Sequence, residues 1–291
     1  MARLARFQDA AGGFICLAEK DGVFHALPQM LGRSVTDPTE LMGDWEHNLK
    51  AIEAAIAAGA APVDIAGMRF APPIARPGKL ICIGVNYHDH IAEMGVNAPE
   101  FPYAFLRPFG CLAAHGEAVT LPDWPKMVDW EAELGVVIGR TCRGLTNENA
   151  LSAVAGYTVI NDVSARDWIE SAPFVGIDWV MQKAWDGFQP TGPFLVPARH
   201  VPDPQALELE LSVNGTVKQK QSTAKMVFGV VDILVHLSRI MTLSPGDIIA
   251  TGTPSGVGFG RRPREFLADG DTVSVSITGL GELINTFAAA R

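Results

Sequence analysis

The chain has 291 residues, 48 % of them hydrophobic and 19 % charged, and a formal net charge of −9. That is enough chain for a sizeable core, as one large domain or a main domain with a smaller one, in an ordinary soluble globular balance. The acidity, with no Lys/Arg run longer than two, disfavours a nucleic-acid partner, which needs a positive field. No stretch approaches the roughly 18 apolar residues that span a bilayer. The N-terminal residues lack the apolar core of a secretory signal. A cytoplasmic location without membrane association is expected. Cys16, Cys82, Cys111 and Cys142 form no C-x-x-C pair and are expected as reduced thiols packed like small apolar residues.

In chain order, residues 1–72 read as a small α/β unit. Two strand-like runs, 13–18 and 23–27, flank a Lys20-Asp21-Gly22 turn. A helix follows, with Asp44 as N-cap, Trp45, Leu49, Ile52 and Ile56 at helical spacing, and Gly59 at its end. Residues 70–79, with three prolines, suggest an extended linker. From 73 to 291 strands dominate: 80–85, then 129–138, where Glu131, Glu133 and Gly135 share one face opposite Ala132, Leu134, Val136 and Ile138. Residues 146–155 suggest a capped helix and 156–163 a strand. Alternation over 207–213 running into Asn214-Gly215 is the strongest hairpin signal in the chain. Residues 227–241 read as an amphipathic helix, and 269–287 as another hairpin. The whole is a β-rich α+β pattern, unlike a doubly wound α/β domain.

The chemistry is carried by acids. Glu131 and Glu133, two apart on a strand, point the same way and repel each other unless a cation lies between them. A solvated strand face is the alternative, and it suffices for the similarly spaced Glu208 and Glu210. Glu131 and Glu133, however, lie in an otherwise apolar stretch, and a second polar interruption, Asn161-Asp162, ends the next strand. Three carboxylates without Cys or His specify a hard cation, Mg²⁺ or Mn²⁺ or Ca²⁺, rather than zinc. In Asn86-Tyr87-His88-Asp89-His90-Ile91-Ala92-Glu93 a helical turn would put His90 and Glu93 on one face, where the carboxylate can support the imidazole as a base. A surface histidine beside an acid is the alternative there. The loop TGTPSGVG could cradle an anion on its N–H groups. There is no G-x-S-x-G elbow, H-E-x-x-H, Walker A lysine or G-x-G-x-x-G.

Five segments occur in an order that resembles the fumarylacetoacetate hydrolase family: KLICIGVNYHDHIAEMG, DWEAELGVVIG, GYTVINDVSARDW, MQKAWDGFQPTGP and SPGDIIATGTPSGVGFG. The resemblance spans about residues 72–287, and more loosely the small leading domain of longer bacterial members. It implies a mixed β-sandwich roll, a homodimer, and a Mg²⁺ or Mn²⁺ cofactor. It further implies Glu131, Glu133 and Asp162 as metal ligands, Lys183 beside the metal, His90 and Glu93 as a catalytic dyad on a lid, and Thr253 at the substrate carboxylate. Arg107 departs from the pattern, since many members have lysine there. An arginine would bind a carboxylate bidentately, which marks it as a substrate-binding candidate. Trp130, Trp168, Trp179 and Trp185 are read as core or as pocket lining. The implied substrate is a small 2-oxo acid, and the implied reaction hydrolysis of a C–C bond in an acylpyruvate. Oxaloacetate decarboxylation, isomerisation or hydration of an unsaturated 2-oxo diacid, and non-catalytic 2-oxo-acid binding stay open.

Overall fold

The computed structural model describes residues 1–170 and 176–290. Its largest sheet runs, by neighbour, through Val23–Ala26, Phe14–Lys20, Arg3–Gln8, Gln189–Pro197, Val154–Asn161, Ala132–Ile138, Ile248–Ala250, Leu80–Gly84 and Tyr103–Arg107. A second sheet orders Thr216–Ser222, Glu208–Val213, Thr272–Ile277, Gly281–Ala289 and Ala118–Leu121. The two pack face to face: Leu209, Leu211, Val273 and Leu283 join Leu134, Val136, Tyr157 and Val159 in one core. The fold is strand-rich α+β, as the periodicity implies.

Both short hairpins form as their turn residues dictate. Asp21 and Gly22 have φ of 53° and 84°, and Asn214 and Gly215 have 50° and 76°, the paired left-handed conformations of a tight two-residue turn. The helix Trp45–Ala57 buries Leu49 and Ile52. Asp44 occupies its N-cap position without a side-chain cap bond. The capping is done earlier, where Asp37 and Glu40 form a reciprocal box on the 3₁₀ turn Pro38–Asp44.

Two expectations change, and one strand pairing is new. The strand Arg3–Gln8 pairs with Phe14–Lys20, with Arg69–Ala71 and, through Leu4 and Ala5, with Gln189–Pro197. The N-terminal segment is thereby stitched into the main sheet. Because Arg69–Ala71 is a strand, the expected linker at 70–79 begins as sheet. The expected helix at 146–155 is a single 3₁₀ turn, Ala150–Ala153, since Val154 and Ala155 already belong to the strand Val154–Asn161. The helix expected at 227–241 occupies Val230–Ile240. All four cysteines are buried and unpaired. Among the described residues no helix is long and apolar enough to cross a membrane.

Candidate active site

Sheet register creates the acidic cluster. Ala132 is paired with Asn161 across two antiparallel strands, so Glu131, just before one strand, lies beside Asp162, just after the other. The Asp162 N–H donates to the Glu131 carbonyl at 2.8 Å, and the Glu131 N–H donates to Asn161 Oδ1 at 3.0 Å. Glu133 follows on the same face. One carboxylate oxygen from each of Glu131, Glu133 and Asp162 lies within 4.8 Å of the others, and all three residues are buried. Burial of Glu131 to 6 % and Glu133 to 1 % exposure removes the solvated-face alternative. Glu208 is exposed and Glu210 pairs with Lys220 on the surface, as expected of a solvated strand face.

Lys183 ends the short helix Trp179–Lys183, which Asp178 caps through the N–H groups of Val180 and Met181. Its Nζ donates to Glu131 Oε2 and Asp162 Oδ2, both at 2.7 Å. Arg166 bridges Glu131 and Asp129. Arg107 donates to Asp162. It does not line the cavity below, and the carboxylate it binds is one of the protein's own.

These charges do not balance. Four buried carboxylates (Asp129, Glu131, Glu133, Asp162) meet three cations (Arg107, Arg166, Lys183), and Glu133 has no ion pair among the described residues. Burial would push Glu131 up, but Lys183 and Arg166 outweigh it and hold the carboxyl at about 2. Burial, then Asp162 and Glu131, raise Glu133 well above the carboxylate range. An ionised Glu133 would thus be surplus negative charge where three carboxylate oxygens converge. An all-oxygen donor set with uncompensated charge fits a hard divalent cation such as Mg²⁺ or Mn²⁺.

His90 lies on the helix His88–Met94, buried, while His88 faces solvent. Its Nδ1 is 3.0 Å from Glu93 Oε2, and Glu93 Oε1 accepts the Gly256 N–H at 2.8 Å. With Glu93 ionised, Nδ1 carries the proton and Nε2 is the basic nitrogen. His90, Glu131, Glu133, Asp162, Lys183 and Thr253 line one cavity of about 170 Å³. A larger cavity, about 650 Å³, opens beside Arg6, Phe14 and His115 and touches none of them.

The glycine-rich loop does bind carboxyl groups, but they are side chains of the chain itself. Gly252 N–H donates to Glu133 at 2.7 Å, Gly256 N–H to Glu93, and Gly258 and Phe259 N–H to Asp129 at 2.6 and 3.0 Å. Thr253 is aimed by Gln219, a residue sequence reading passed over. Gln219 Oε1 accepts the Ala132 N–H at 2.9 Å, so its Nε2 donates to Thr253 Oγ1 at 2.8 Å. The threonine hydroxyl is left to donate into the cavity. Arg166 and Asp129 were also passed over. Asp129 could have been found, since 129, 131 and 133 share one strand parity. Of the tryptophans, Trp179 lines the cavity, whereas Trp130 is buried and Trp168 and Trp185 pack on the core.

The sequence profile of the fumarylacetoacetate (FAA) hydrolase C-terminal family matches residues 79–288. A protein of Burkholderia ambifaria named as a hydrolase is 46 % identical over 220 residues, 75 % of this chain and 77 % of its own. The mitochondrial oxaloacetate tautomerase Fahd2a of Rattus norvegicus is 39 % identical over 240 residues, 82 % of this chain and 76 % of its own. The solved maleylpyruvate hydrolase of Sphingobium sp. SYK-6, in complex with manganese(II) and pyruvate, superposes with a TM-score of 0.82 at 32 % identity, covering 99 % of this chain and all of that one. Fold and acidic cavity define a strand-rich enzyme scaffold around a buried carboxylate cluster that could hold a cation. The chain belongs to the fumarylacetoacetate hydrolase family.

Proposed function

We propose that this protein is a Mg²⁺- or Mn²⁺-dependent hydrolase that cleaves a C–C bond in an acylpyruvate-like 2,4-dioxo acid. The observation that carries the reading is that a base held by a carboxylate, His90 on Glu93, faces the same small cavity as three buried carboxylates. Glu131, Glu133 and Asp162 would hold the cation, which when bound supplies Lewis-acid polarisation of the 2-oxo group. With all four carboxylates ionised the buried cluster carries −1, which a divalent ion would turn to +1, matching a monoanionic 2-oxo acid.

The chain's own residues do the rest. His90 Nε2 takes a proton from water as its oxygen attacks the distal carbonyl, and Glu93 stabilises the imidazolium that forms. The bond between C3 and C4 breaks, its electron pair staying on C3 as the enolate of pyruvate. Lys183 Nζ is placed to stabilise the developing negative oxygen. Protonation at C3 completes the sum: acylpyruvate plus water gives a carboxylic acid and pyruvate. The Thr253 hydroxyl would donate to the substrate's 1-carboxylate, fixing its orientation.

A second reading, keto–enol tautomerisation of oxaloacetate, is favoured by the 39 % identical rat relative. It would use the same dyad to move a proton without water attack. The two separate in one assay. The protein is stripped with EDTA and reloaded with Mg²⁺ or Mn²⁺. It is then offered acetylpyruvate with pyruvate release followed, and enol-oxaloacetate with ultraviolet absorbance followed. Hydrolysis predicts metal-restored pyruvate release. Tautomerisation of oxaloacetate without pyruvate release from any acylpyruvate would replace the first reading with the second. Full hydrolysis after exhaustive chelation would remove the cation from it.

A further inference from the structure

The cavity has two unlike ends. Its floor is charged, with Glu131, Glu133, Asp162 and Lys183, while its walls are Val85, Met94, Phe105, Ile169, Ile177 and Trp179. Trp179 stacks on Phe105 with centroids 4.1 Å and planes 6° apart, and its indole N–H donates to the Tyr103 hydroxyl at 3.1 Å. The aromatic wall is therefore set in one orientation. Val85 holds a φ of 56°, a costly conformation for a β-branched residue. The next residue, Asn86, pins it by donating to the Phe228 and Thr251 carbonyls at 3.0 and 2.8 Å.

Among the described residues no cation is left unpaired at the wall end: the Lys183 Nζ comes within 5.9 Å of the Phe105 centroid but is held by two carboxylates. Lys183 and Arg166, the basic side chains in the lining other than His90, are turned to the carboxylates of the floor. Two stretches of chain, 91–106 and 167–182, supply every wall residue named above except Val85. Neither contains a Lys, Arg or His. A carboxylate at the far end of a substrate would lose its hydration against a mainly hydrocarbon wall, whose polar lining includes the neutral Gln182 amide but no cation turned to it, which costs far more than contact returns. An alkyl or aryl group there gains about fourfold in affinity per methylene covered.

We infer that the site selects 2-oxo acids whose distal group is uncharged and apolar over diacids, with the Trp179–Phe105 wall as the specificity surface. This rests on the reading of the floor as a 2-oxo-acid site, and the test keeps the two apart. Calorimetric titration of the Mn²⁺-loaded chain compares pyruvate, 2-oxohexanoate and 2-oxoadipate, the last two equal in length and differing in a terminal methyl or carboxylate. The expected result is 2-oxohexanoate binding at least about tenfold more tightly than 2-oxoadipate. Trp179→Ala should erase most of the advantage of 2-oxohexanoate over pyruvate and leave pyruvate unchanged. Ile177→Lys, at the exposed rim, should strengthen 2-oxoadipate selectively. Equal or tighter binding of 2-oxoadipate, or a Trp179→Ala variant that keeps its 2-oxohexanoate affinity, overturns the inference and leaves the floor reading standing. Failure of all three acids to bind the Mn²⁺-loaded protein overturns both.

Discussion

His88 and His90 are two residues apart on one helix, yet only His90 reaches the cavity and only His90 has a carboxylate on Nδ1. If water attack needs this base, His90→Ala should lower kcat roughly 10²–10⁴-fold while Mn²⁺ affinity stays near that of the parent. Glu93→Gln keeps the shape and removes the charge that supports the imidazolium, so its loss should be smaller and of the same kind. His88→Ala should be silent. Equal large losses at both histidines would show that the facing nitrogen has been misassigned. Lys183 is a different case, since burial opposes its charge but Asp162 and Glu131 outweigh that and raise its pKa. It stays an ammonium and can act only as a donor.

At the scale of the element, the loop after Ile248–Ala250 shows how backbone controls chemistry. A Cβ on Gly260 would come within 2.4 Å of the Glu93 carboxyl carbon, the far end of a flexible side chain. Gly260→Ala should therefore displace Glu93 from His90, lowering kcat with little change in thermal midpoint or Mn²⁺ binding. Gly256 is the contrast. Its φ is 104°, and a Cβ there would meet the Lys218 carbonyl oxygen at 2.1 Å, a rigid neighbour. Gly256→Ala should cost stability first, about 1–3 kcal/mol from the backbone conformation alone. Urea midpoints and kcat measured on both variants check the contrast. A Gly260→Ala enzyme with unaltered kcat would mean that Glu93 does not position the base.

Across the molecule, His115 offers a pH readout remote from the site. Burial lowers its pKa from the ordinary 6.5, with Glu282 opposing. Its Nδ1 accepts the Ile284 N–H at 3.1 Å, a bond only the neutral ring can accept. Below 6.5 the unfolded chain takes up a proton that the folded chain resists, so stability should fall as pH drops through 6.5 and keep falling to the folded-state value. Replacing His115 with Asn, whose side-chain oxygen can accept the same N–H, should flatten this part of the urea midpoint's change between about pH 7.5 and about pH 5.5. An identical slope in the variant would place the effect elsewhere.

Local pattern was enough for the hairpins and the helix carrying Leu49 and Ile52, and it singled out the acids Glu131, Glu133 and Asp162 while burial decided their role, because turn residues, periodicity and charged residues in apolar runs are properties of neighbours in sequence. The His90–Glu93 pair was legible for the same reason, being one helical turn apart. Arg3–Gln8 was not legible as a strand, since its place depends on partners such as Leu195, which only the folded sheet brings alongside. Nor could spacing show that Arg107 would be taken up by Asp162, 55 residues away, or that Gln219 would aim Thr253. The glycine loop was legible as an anion cradle, but the carboxyl groups it binds are those of Glu93, Asp129 and Glu133, well over a hundred residues earlier. Sequence alone determined which groups could do the chemistry. Tertiary structure decided which charges face one another, because burial and the register of distant strands set the local charge balance.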